Sequence, residues 1–105
     1  MKNDYKWLVM EYQGVKCAVP TTVIAKNYAD YYGGKENSWQ EEYDWILEDS
    51  QDFELTDWAF NNMNPEDFNG EVVLIEKLEP SFADVFTHCD GNYEVIVGDP
   101  RCATR

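Results

Sequence analysis

From Glu36 to Glu76 the chain carries thirteen carboxylates and no lysine or arginine. No other feature constrains the fold as much. Like charges three and four residues apart on a helix lie roughly 5–6 Å apart at Cβ and destabilise it, whereas interspersed Glu/Lys pairs stabilise it. A helix in this stretch therefore depends on a narrow apolar stripe, with its acids crowded over the remaining surface. The flanks are nearly neutral: residues 1–35 hold five lysines and three acids, and residues 77–105 hold three basic and five acidic residues. The net charge of −13 over 105 residues is thus the charge of one segment.

Punctuation and periodicity order the elements. Tyr5 to Gln13 alternates as a strand, apolar on both faces near its middle. Gln13-Gly14 turns the chain into a second short strand, Val15 to Val19, which makes a hairpin. Pro20 ends it, and Thr21 or Thr22 can cap a helix to about Tyr32 that places Ile24, Tyr28 and Tyr31 on one face and stops at Gly33-Gly34. Ser38-Trp39-Gln40-Glu41 matches a capping box. In the helix it opens, Trp39, Tyr43, Ile46 and Leu47 share one stripe at about 100° per residue. A third helix is expected from about Phe53 to Met63, with Leu55, Trp58 and Ala59 inward. Glu71 to Glu76 reads as a central strand. Phe82 to Cys89 suits either a strand or one short helix, and Asp90-Gly91 reads as a hairpin turn into a last strand at 92–97. With 44% apolar residues for a core, the expectation is one domain over residues 1–105. Its class is α+β: a small antiparallel sheet of about four to five strands with two to three helices packed on one face.

Composition excludes several functions. A chain this acidic cannot grip phosphate backbones, and an anionic membrane surface repels it. No apolar run follows the charged start Met1 to Lys6 and none approaches the ~20 residues of a membrane span, so a cytoplasmic protein is expected. Cys17, Cys89 and Cys102 lack CxxC spacing and read as reduced thiols. His88-Cys89-Asp90 resembles nucleophile chemistry, but contiguous residues project to different sides; it reads better as the end of a hairpin. Asp49 to Glu54 lacks the spacing of an EF-hand. No catalytic residue, cofactor or metal is expected.

What remains is the broken charge rule, and a local rule broken without compensation marks a candidate for function. A rigid face of carboxylates can present the field and spacing of nucleic acid to a protein that binds nucleic acid. The expected contacts are Glu41, Glu42, Asp44, Glu48, Asp49, Asp52, Glu54 and Asp57, together with Trp45. On the helical wheel Trp45 lies among these acids and away from the apolar stripe, where it suits a partner's arginine; the other reading is that helix three or a loop covers it.

The acidic stretch Glu36 to Glu76 and the aromatic-rich segments Asn27-Tyr28-Ala29-Asp30-Tyr31-Tyr32 and Trp39 to Trp58 resemble those of small acidic inhibitors encoded by phages and mobile elements. DNA-mimic antirestriction proteins and some anti-CRISPR proteins are examples. The resemblance implies a non-enzymatic inhibitor that occludes the nucleic-acid channel of a host nucleic-acid-binding protein or complex in the host cytoplasm. The alternative is a phage accessory, structural or regulatory interaction module, using its sheet edge or Tyr-rich first helix, whose acidic face only solvates it.

Overall fold

The computed structural model describes residues 6–68, 72–74, 81–89 and 91–98. It is α+β, and the chain divides into two compact units, one formed by residues 21–64 and the other by the segments on either side.

The flanking segments build the sheet. β1 (Lys6–Tyr12) and β2 (Val15–Pro20) pair antiparallel, with Trp7 opposite Pro20 and Tyr12 opposite Val15. Gln13 and Gly14 join them with φ of +53° and +78°, the positive values at both central residues that a type I′ hairpin turn needs. On its other side β1 pairs antiparallel with β4 (Tyr93–Val97), and the two-residue β3 (Val73–Leu74) borders β2, giving the order β3-β2-β1-β4. Leu8, Val9 and Met10 are buried in succession, as are Cys17, Ala18 and Val19, so the two central strands are apolar on both faces. α4 (Phe82–His88) packs against β1 and β2. Phe68, at the end of a 3-10 turn over Pro65–Phe68, lies with its ring centroid 5.7 Å from Phe82 and 5.5 Å from Phe86. Burial of a side chain the size of Phe68 contributes about 1.5–3 kcal/mol.

Three expectations for this unit are corrected. Among the described residues β3 lies at an edge of the sheet, not its centre; a short aliphatic run reports how its faces are covered and not its rank in the strand order. The remainder of Glu71 to Glu76, apart from Val72, lies outside the described residues. Residues 82–88, left open between strand and helix, are a helix, so the described residues hold four α-helices and not two to three. Ser81 caps this one by accepting from the Asp84 N–H at 3.4 Å. Finally, Gly91 follows a helix and no hairpin: Asn92 N–H closes onto Cys89 O at 2.9 Å, and the strand that follows pairs with β1. Asp90 and Cys102 lie outside the described residues.

Residues 21–64 are helical. α1 (Thr21–Tyr32) begins directly after Pro20. Its buried residues are Thr21, Ile24, Ala25 and Ala29, whereas Tyr28 is half-buried and Tyr31 is 57% exposed. The small residues are buried, so the inward face is rotated from the expected Ile24/Tyr28/Tyr31 line. Gly34, at φ +85°, ends the helical stretch. α2 (Trp39–Asp44) has the expected capping box: Ser38 Oγ accepts from Glu41 N–H at 3.2 Å, and Ser38 N–H donates to Glu41 Oε1 at 2.9 Å.

The helix then widens into a π turn over Trp45–Asp49, closed by Ser50 N–H donating to Trp45 O at 2.8 Å. Such a turn adds about a residue to each circuit, so a wheel drawn at 100° per residue drifts from the true faces beyond Asp44. Of the predicted stripe only Ile46 is fully buried; Tyr43 and Leu47 are half-buried and Trp39 is exposed. α3 (Asp52–Asn62) buries Leu55, Thr56 and Ala59, leaves Trp58 half-buried, and ends at buried Met63.

Candidate functional site

All nine predicted contacts fall in the unit of residues 21–64. Glu41, Asp44, Trp45, Glu48, Asp49, Asp52 and Asp57 are exposed, and Glu42 and Glu54 are half-buried. Of the thirteen acids of the sequence window, Glu66 and Asp67 belong to the other unit, and Glu71 and Glu76 lie outside the described residues.

Several of these carboxylates have local work. Glu41 completes the capping box, Glu42 accepts from Asn37 Nδ2 at 3.2 Å, and Asp44 accepts from Gln40 Nε2 at 3.0 Å. The unit holds ten carboxylates and two lysines, and both lysines are engaged within it. Lys26 pairs with Asp30 at 3.0 Å, and Lys35 Nζ stands 4.4 Å from the centroid of the Tyr31 ring. Asp30 also accepts from the Trp39 indole N–H at 2.7 Å. That bond first, and Lys26 second, holds its carboxyl below the ordinary value of 3.8.

Trp45 stands between the two readings made of it. It is 39% exposed, and its ring centroid lies 6.0 Å from that of Tyr28. Tyr28 in turn lies 4.7 Å from Tyr32 and 5.1 Å from Trp58, and Trp58 is 5.5 Å from Tyr32 and 5.6 Å from Tyr31. Trp58 is held in place by its indole N–H, which donates to Asn27 Oδ1 at 2.9 Å. An aromatic cluster therefore joins α1, the π turn and α3, all within the acidic unit. Burial first, then the charges of Glu42, the Tyr32 phenol and Glu54, raise the Tyr28 phenol pKa. Burial, followed by Asp44 and Glu48, does the same at Tyr43.

Sequence reasoning put Tyr28 and Tyr31 on one face of the Tyr-rich first helix but Trp58 on the buried face of the third, and so did not join them in one cluster. The available signal was the spacing of Tyr28, Tyr31 and Tyr32, which puts three rings on one side of the last turn of α1.

The other candidate chemistry does not assemble. His88 is exposed, with its ring 5.3 Å from that of Tyr12, whereas Cys89 is buried with Sγ directed at Phe86 O. Burial pushes the Cys17 thiol up to about 11, which removes its nucleophilic thiolate at neutral pH. Among the described residues no group of three or more His, Cys, Asp or Glu side chains could hold a metal ion, and no helix is long and apolar enough to cross a membrane. No protein family, curated protein sequence or solved structure matches the chain.

Proposed function

We propose that the protein is a non-enzymatic inhibitor that binds a nucleic-acid-handling complex of a host cell through the acidic helical surface of residues 21–64. A defence nuclease, CRISPR effector, restriction enzyme or polymerase offers the required basic channel. The observation that carries this reading is the charge bookkeeping of the unit: ten carboxylates, with its only two cations held by Asp30 and Tyr31. One ion pair in water contributes about 1 kcal/mol at 4 Å, so a surface of this kind works by steering and by many contacts at once.

Capture from a bacterial lysate with salt-gradient elution tests it, with an Asp44/Glu48/Asp49→Lys variant in parallel. These positions spare Glu41, whose reversal would break the capping box. A nuclease or polymerase that elutes at moderate salt, is displaced by added DNA or RNA and is lost in the variant is the expected result. A partner indifferent to salt, to nucleic acid and to the substitutions overturns the reading. The exposed rings of Tyr31 and Tyr32 favour, in that case, an interaction module that docks through its aromatic residues.

A further inference from the structure

An open groove of about 330 Å³ lies within the helical unit, lined by Tyr28, Tyr32 and Trp58 together with Glu54, Asp57 and Asn61. Its size is near the lower limit of the ~300–1,000 Å³ typical of ligand sites, enough for a single long side chain. Its chemistry is of two kinds. Aromatic faces attract cations through the ring quadrupole, and carboxylates and amide carbonyls accept hydrogen bonds from them. Glu54, Asp57, Trp58 and Asn61 fall at i, i+3, i+4 and i+7 of α3, so one side of a single helix supplies both kinds. No lysine or arginine lines the groove. The molecule already places a cation at the margin of the same cluster: Lys35 stands over Tyr31, whose ring is 5.6 Å from that of Trp58.

We infer that this groove receives the guanidinium of an arginine side chain from the partner, stacked on the aromatic rings and hydrogen-bonded to Glu54 and Asp57. The inference rests on the partner-binding reading above and names the chemistry at its centre. Guanidinium suits the site better than ammonium. It is planar, weakly hydrated and rich in donors arranged as a fork, so it can stack and bridge separate acceptors, whereas a lysine ammonium is a compact and strongly hydrated point charge. Interface hot spots are enriched in Trp, Tyr and Arg and cluster near the centre, with outer charges contributing steering. In this arrangement Asp44, Glu48 and Asp49 guide a basic surface in, and the groove fixes its position.

The test uses the whole protein and three acetylated, amidated tripeptides, Gly-Arg-Gly, Gly-Lys-Gly and Gly-citrulline-Gly, followed by two-dimensional NMR. Citrulline keeps the shape of arginine without its charge. The arginine peptide is expected to shift the Trp58 indole N–H and the Asn61 side-chain amide saturably, the lysine peptide more weakly, and the citrulline peptide not at all. Glu54→Gln and Asp57→Asn are each expected to weaken the arginine peptide by up to about fivefold while the rest of the spectrum is unchanged. Equal binding of arginine and citrulline peptides, or of arginine and lysine peptides, overturns the inference. So do shifts confined to residues 41–49, although that result leaves the acidic-surface reading standing. Saturable seating of arginine at Trp58, combined with a lysate partner that ignores the Asp44/Glu48/Asp49→Lys variant, upholds the groove and removes the acidic-surface reading.

Discussion

At Gly33 a missing side chain lets two segments meet. A Cβ there would stand 2.6 Å from Ala29 O and 2.7 Å from Trp39 Cα, both backbone atoms that cannot swing aside. Gly33→Ala should therefore destabilise the protein by about 1–3 kcal/mol, read as a lower urea midpoint with an unchanged m-value. The sequence shows a pair of glycines and suggests one job, ending a helix. Only Gly34 does that job with a positive φ, and the close approach that needs Gly33 depends on where Trp39 comes to rest. The bond from Trp39 to Asp30 makes a pH prediction. Because the folded carboxyl lies below its unfolded value, its contribution to stability is present above pH 3.8 and disappears as pH falls through the folded pKa. The Trp39 indole proton resonance should move with a midpoint below 3.8, and Asp30→Asn should abolish that step.

Among elements, legibility followed how local the cause was. The capping box at Ser38 and the Gln13-Gly14 turn each depend on a few adjacent residues, and both formed where the sequence placed them. The helix at 82–88 had an equally local sign in Ser81 and Asp84, a hydroxyl and an acid three residues apart before an apolar run, but the β-branched and aromatic content of the run left a strand open. The π turn had none. Nothing in Trp45 to Asp49 departs from an ordinary helical pattern, and of the faces that the wheel assigned there Leu47 is the one that changed, from the core stripe to half-buried, while Ile46 is buried and Trp45 exposed as the wheel had them. The turn also exposes a second broken rule. Glu48 and Asp49 close a helical segment that begins at Trp39, where exposed carbonyls make negative charge unfavourable and no basic residue stands. Asp49→Lys is therefore expected to stabilise the protein by about 0.3–1 kcal/mol in thermal or urea denaturation. The same change should weaken partner capture. Higher stability with undiminished capture would identify the acidic turn as solvation alone.

For the molecule as a whole, the boundary near residue 64 reorganises what the sequence presents as one acidic block. The nine candidate contacts stay together in the helical unit, while Glu66 and Asp67 go with the sheet. Composition could locate the charge but not this division, which depends on β1 pairing with residues 93–97. Self-repulsion concentrated in one unit gives it a distinct salt response. Raising NaCl from about 10 mM to 0.5 M should slow amide hydrogen exchange more in α1 to α3 than in β1 and β2, measured residue by residue by NMR.

The same topology sets an order of synthesis. Lys6 waits for Val97, about ninety residues later, before β1 gains its second neighbour, whereas every contact within residues 21–64 is made from one continuous stretch. On the ribosome the helical unit emerges complete while β4 is still a few seconds of translation away. The acidic, aromatic surface can therefore be in place before the sheet has its last strand. Truncation by a stop codon between residues 64 and 92 would leave the helical unit fully encoded and β1 without β4.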